Sequence, residues 1–395
     1  MSTKDALKAR LCETVDDLAA TLVDVSHFIH ANPELAFREF KAAERLTATL
    51  GEAGMPVARG AYGLETAFAS EFGPTGKPCV ALLSEYDALP KIGHACGHNV
   101  IATAALGAAM ALHRLGDDLP GRIRLLGTPA EETGGGKELM ARKGAFEGLD
   151  AAMMVHPSGV DLATMPCIAI AEVEVIYHGR SAHASAAPQA GINALDALVV
   201  AYQALSALRQ HIKHTERIHG IITHGGDAPN VIPERAAGRF GVRAANQDDL
   251  EKIKARANDC LEAGARATGA TAEIRWGEVD YLDLNTCWPL ARAYQANAES
   301  LGRKFYPVEK LPSTVAGSTD MGNVSYRVPS IHPMITSAPA NVTIHNPEFE
   351  KWAGSKLGDS AVLDGAKAMA MTTIDFLLDP ELRSDARSAF EAGRA

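Results

Sequence analysis

The sequence predicts an α/β protein in which a mostly parallel-sheet domain is interrupted by an inserted ferredoxin-like βαββαβ domain. Three observations predict it. Apolar, strand-like segments alternate with helical ones through residues 1–167 and again through 284–395, the pattern of a mostly parallel sheet. Between them, residues 168–283 follow a self-contained element order of their own. The polar residues of the first part gather where its apolar segments stop.

Residues 4 to 31 have helical spacing, with Leu11, Val15, Leu18, Leu22, Val25 and Ile29 on one face. CVALLSEYD then reads as a buried strand delivering Glu85 and Asp87, RIRLLGTPAEE as one delivering Glu131 and Glu132, and DAAMMVHP as one delivering His156. VIATAALGAAMALHRLG and GKELMARKGAF supply the helices between them. Ligands at such sheets collect beyond the carboxyl ends of the strands, where these polar residues fall. From 168 onward come strand IAIAEVEVIYHG, helix GINALDALVVAYQALSALRQHI, strands IHGIITHGG and RAAGRFGVRAA, helix DDLEKIKARANDCLEAGARA and strand ATAEIRWG. That order gives a four-stranded antiparallel sheet with both helices on one face. After 284 the alternation resumes with PSIHPMI and a last helix, SAVLDGAKAMAMTTIDFLLD, so the first domain is discontinuous.

A net charge of −10 argues against the concentrated basic face that a nucleic-acid-binding surface needs. Cys12, Cys79, Cys96, Cys167, Cys260 and Cys287 lie far apart with no repeated spacing, which points to a reducing cytoplasm rather than a disulfide scaffold. The opening MSTKDALKARLCETVDDLAA carries charges throughout and lacks the apolar centre of a signal peptide. No stretch reaches the roughly 18 uncharged apolar residues of a membrane span. Neither nucleic acid nor membrane is expected as a partner.

The densest chemistry lies in SEYDALPKIGHACGHNV, residues 84–100. Cys96 and His98 stand two apart between flexible glycines, and thiolate and imidazole suit zinc and its first-row neighbours. A structural loop or a redox cysteine would read the same way taken alone. Glu131 and Glu132 stand side by side where a strand stops and a glycine run begins; adjacent side chains on an extended segment diverge, so one can bind a metal while the other faces the substrate water. A solvated acidic pair at a helix N-terminus is the competing reading. His156 and His345 have the ambiguity of any core histidine. Cys96, His98, Glu132, His156 and His345 together complete two sites if one group bridges, and paired metals about 3.5–4 Å apart polarise carbonyls and activate water. No GxxxxGK[ST], HExxH or GxSxG occurs. A Cys96 nucleophile assisted by histidine would leave Glu131, Glu132 and His345 without a role.

EYDALPKIGHACGHN, TPAEETGGGK, VHP, GRSAHASAAPQAGINALDA, GGDAPNVIPE, STDMGNVS and IHNPEF, in this order, resemble the two-metal peptidases of zinc peptidase family 20. That family includes aminoacylases, glutamate carboxypeptidases and auxin-conjugate amidohydrolases. STDMGNVS and GGDAPNVIP are most similar to the branch of the aminobenzoyl-glutamate hydrolases and the β-alanyl-lysine-type dipeptidases. The resemblance implies a two-metal catalytic domain and an inserted lid that forms a homodimer. It implies a metal-dependent hydrolase cleaving the amide bond of a small N-acyl amino acid or dipeptide, with zinc or manganese as the metal. An aminoacylase, a carbamoylase or a catalytically silent metal-binding subunit are the alternatives.

Residue by residue, the resemblance implies that Cys96 bridges both metals, His98 and His156 bind one, and Glu132 and His345 bind the other. Glu131 matches the general base. His183 matches a lid histidine that reaches across the dimer to the substrate carbonyl, and Asn230 and Arg243 match residues that hold the substrate's free carboxylate. The chain departs from the carboxypeptidase branch at Glu85, two residues before Asp87, where that branch has a histidine ligand; His98 replaces it, and Glu85 is left as a ligand or the support of one.

Overall fold

The computed structural model describes residues 3–311 and 316–393. The chain divides into two compact units, residues 1–166 with 284–395, and residues 167–283.

The first unit is built on a six-stranded sheet in the order Ala58–Arg59, Phe68–Phe72, Arg122–Thr128, Cys79–Glu85, Ala151–Met153, Ser330–Ile331. The last four run parallel, and the first two are antiparallel additions at one edge. Cys79–Glu85 is buried at every position, as a central strand covered on both faces should be. Over the sheet lies the helix His98–His113, in which every residue but the last is buried. Its alanines favour the helix and allow close packing: a Cβ on Gly107 would come within 2.8 Å of Leu22. The helix Lys356–Leu378, capped by the Ser355 hydroxyl accepting from Leu357 N–H, packs beside it.

The helical stripe expected over 4–31 is present, and Leu11, Val15, Leu18, Leu22, Val25 and Ile29 are all buried. It is carried by two segments, Thr3–Asp17 and Ala19–Ala31, joined through Leu18 by continuing backbone bonds to Thr14 and from Leu22. The helix expected over GKELMARKGAF is confined to Gly136–Ala141.

The second unit is a four-stranded antiparallel sheet in the order Thr271–Trp276, Ala169–His178, Arg235–Ala244, Arg217–His224. This is the ferredoxin-like arrangement. Leu198, Ala201 and Leu205 of the helix Ala194–Leu208 and Leu250, Ile253 and Leu261 of the helix Gln247–Thr268 share one core with the sheet residues Val173, Val175, Phe240 and Val242.

Candidate metal centre

Three neighbouring parallel strands end in the polar residues. Glu85 closes Cys79–Glu85 and Asp87 follows it, Glu131 and Glu132 follow Arg122–Thr128, and His156 follows Ala151–Met153. Cys96 and His98 enter from the loop leading into the helix His98–His113. Gly97, at φ +77, turns the chain there, and a Cβ on it would lie 2.5 Å from Pro157 Cγ, so a side chain at 97 would push the helix off the His156 segment. His345 arrives from the last part of the chain. Its N–H donates to the Ala95 carbonyl at 2.8 Å, and its φ of +64 lies in a region sparsely populated by residues with side chains. Ala130, just before the Glu pair, is held at φ +62 while its N–H donates to the buried Glu39 Oε1 at 2.9 Å.

The donor atoms of Cys96, His98 and His156 lie within 4.8 Å of one another, as do those of Cys96, Glu132 and His345, and those of Glu85, His98 and Glu131. Cys96 is common to the first two groups. His98 Nδ1 donates to Asp87 Oδ1 at 3.0 Å, and Asp87 Oδ2 accepts from Glu132 N–H at 2.9 Å. His156 Nδ1 donates to the Pro157 carbonyl at 2.8 Å, leaving Nε2 facing Cys96 Sγ at 3.4 Å. Each histidine thus has one nitrogen tied to oxygen and the other presented, the usual orientation of metal-binding imidazoles. His98 Nε2 and Glu85 Oε1 are buried without hydrogen-bond partners, and His98 Nε2 stands 3.2 Å from that oxygen and 3.7 Å from Glu132 Oε1, which faces His345 Nε2 at 3.4 Å. Buried polar atoms that face one another without a hydrogen bond are costly, and a divalent cation between them would satisfy them. The residues present therefore fit a divalent-metal centre.

The electrostatics divide the Glu131–Glu132 pair. Burial raises the Glu131 carboxyl well above the carboxylate range, and Glu85 and Glu132 add to the rise. Burial also acts to raise Glu132, but the hydrogen bond to His345 and the charge of His98 outweigh it and hold Glu132 below its usual value. Burial, with His98 beside it, lowers His156 to about 3, so its imidazole is neutral.

Within the second unit, His183 and Asn230 meet: the Asn230 carbonyl accepts from Ala184 N–H at 3.0 Å, and His183 bridges Val231. His183 Nδ1 accepts from the N–H groups of Ser185 and Ala186 at 3.3 and 3.2 Å, which places the ring proton on Nε2. Arg243 lies on the strand Arg235–Ala244, and its Nε donates to His219 Nε2 at 3.4 Å.

The profile of peptidase family M20/M25/M40 matches residues 81–373. The chain belongs to that family. It is 41% identical to the Xaa-Arg dipeptidase of Mus musculus over 98% of this chain and 93% of the relative. It is 29% identical to a p-aminobenzoyl-glutamate hydrolase subunit of Escherichia coli over 91% of this chain and 89% of that one. The fold is that of a dinuclear metal-binding M20 peptidase from Bacillus subtilis, with a TM-score of 0.70 at 20% identity over 92% of this chain and 99% of the other. This M20 chain is a metal-dependent hydrolase of amide bonds.

Three buried polar residues of the M20 unit stand beside the donors without being anticipated from the sequence. Lys137 and Asp320 pair beneath Glu85. The His332 ring lies 5.4 Å from that of His156. Lys137 and Asp320 fall inside GGGK and STDMGNVS, and the strand-ending rule that singled out His156 applies equally to His332 after Ser330–Ile331. Among the described residues, no helix is long and apolar enough to cross a membrane.

Proposed function

We propose that this M20 peptidase cleaves dipeptides with a free carboxylate and a basic C-terminal residue, using two divalent ions, zinc or manganese. The likeness to the Xaa-Arg dipeptidase carries this reading, since it spans nearly the whole chain at 41% identity. In it, Cys96, His98 and His156 hold one ion, and Cys96, Glu132 and His345 hold the other. Bound there, the ions would polarise the scissile carbonyl and acidify the attacking water. Glu131 takes that water's proton and returns it to the departing amine, a task suited to a carboxyl whose proton affinity is raised. His183 donates from Nε2 to the oxyanion as it forms. Six free cysteines suit a reducing cytoplasm. Turnover of a panel of Xaa-Arg and Xaa-Lys dipeptides, aminobenzoyl-glutamate and N-acyl amino acids tests the substrate class. Preference for the neutral or acidic substrates would overturn it.

Asn230 and Arg243 read the carboxylate, the Arg243 guanidinium by paired hydrogen bonds. Arg243→Ala is expected to penalise a dipeptide more than its carboxyl-amide analogue, by ~2–5 kcal/mol if the pair is desolvated. Equal losses on both would make Arg243 a support of the sheet instead.

The second unit also forms the homodimer, through which His183 serves the partner's site. Mixing inactive His183→Ala with inactive Glu131→Gln chains should restore activity in heterodimers. No recovery after verified subunit exchange would place His183 in its own chain's site or outside catalysis.

A further inference from the structure

Beside the donors lies a charged cluster that the chemistry above leaves unused. Lys137 is wholly buried, as are Glu85 and Asp320. Lys137 Nζ donates to Asp320 Oδ1 at 2.6 Å and to Glu85 Oε2, while Lys137 N–H donates to Asp320 Oδ2 at 2.8 Å. Asp320 thus grips the lysine at backbone and head together. The glycine run explains how a lysine comes to be there: a Cβ on Gly136 would lie 1.8 Å from the Pro129 carbonyl oxygen, so the chain turns tightly against the strand end before Lys137 drops inward.

Glu85 is held by one oxygen only. Its Oε1 is buried, lacks a hydrogen-bond partner and stands 3.2 Å from His98 Nε2, in one donor group with His98 and Glu131. Burying three charges is a poor way to stabilise a core, since apolar side chains of similar volume usually do as well or better. The arrangement makes sense if the bare oxygen has work to do.

We propose that Lys137 is a positioning residue of the metal centre: clamped by Asp320, it holds Glu85 with one oxygen turned to His98, so that a cation on His98 Nε2 finds a fixed carboxylate beside it. This rests on the reading of His98 as a ligand. Lys137 acts through Glu85 and touches no reacting atom.

The test is cobalt(II) titration of the metal-free protein for wild type, Lys137→Met, Glu85→Gln and the double variant, with thermal midpoints and circular dichroism as folding controls. Each single variant is expected to weaken one of the two ions by about 10-fold or more, the usual cost of losing a partner of a metal ligand, and to change the cobalt absorption spectrum. The double variant should bind no more weakly than Glu85→Gln. Asp320→Asn, which loosens the clamp but leaves the Lys137–Glu85 pair, should show the same signature reduced in size, and serves if Lys137→Met does not fold. Wild-type affinity and spectrum in Lys137→Met, or in Asp320→Asn used in its place, would overturn the proposal, as would losses that multiply in the double variant. A wild-type protein that binds no cobalt would sink the metal-centre reading itself.

Discussion

Glu131→Gln loses roughly 10²–10⁴-fold in kcat, the contribution typical of a positioned general base, and still binds its metal. The neighbouring change, Glu132→Gln, does the reverse and loses metal first. The two side chains leave one strand end, yet their surroundings drive them apart. Glu131 is pushed up by burial and by the carboxylates of Glu85 and Glu132, so it favours holding a proton. Glu132 is held down by His345, whose Nε2 stands 3.4 Å from its Oε1, and by His98, so it favours remaining an anion. Two carboxyls whose environments separate their proton affinities are the mark of divided acid–base labour. Steady-state kinetics with elemental analysis on the same preparations check both halves. Exchanged phenotypes would reverse the two assignments.

The parallel strands are legible in the sequence because each apolar run ends at an ionisable residue: Glu85, the Glu131–Glu132 pair and His156 all sit at or past strand ends. The antiparallel pair Ala58–Arg59 and Phe68–Phe72 is not, since FASEF is short and gains its place by pairing with Arg122–Thr128. Lys137 and Asp320 are illegible for a related reason. They lie 183 positions apart, and a lysine after three glycines carries no local mark of burial. Only the fold brings the two carboxylates that make a buried ammonium tolerable. Glu39 is similar: nothing in PELAFREF announces a carboxyl that burial pushes up to about 7 and that holds the turn at Ala130.

Cys96→Ser is expected to lose both ions and, with them, turnover. Its sulfur is the one donor common to the Cys96–His98–His156 and Cys96–Glu132–His345 groups, so with an ion held by each group as proposed, its removal would take a bond from both. In the same proposed site a variant of His156, Glu132 or His345 would take a bond from one. Serine nearly matches cysteine in size, and the site at 5% exposure is packed, so the fold should persist and the chemistry of the donor alone should change. A neutral hydroxyl is a far poorer ligand than a thiolate. Burial, with Glu132 beside it, holds the Cys96 thiol well above its usual value in the metal-free chain. Ion uptake must then displace a proton, so wild-type affinity weakens as pH falls and metal binding releases acid. Cys96→Ser should lose this proton release along with its metal. Metal analysis after dialysis should fall from about two ions per chain to below one, and proton release measured in two buffers of different ionisation enthalpy should shrink. A serine variant that retains two ions and wild-type kcat would mean that the sulfur neither bridges nor binds, and that His98, Glu132 and their neighbours hold the metals without it.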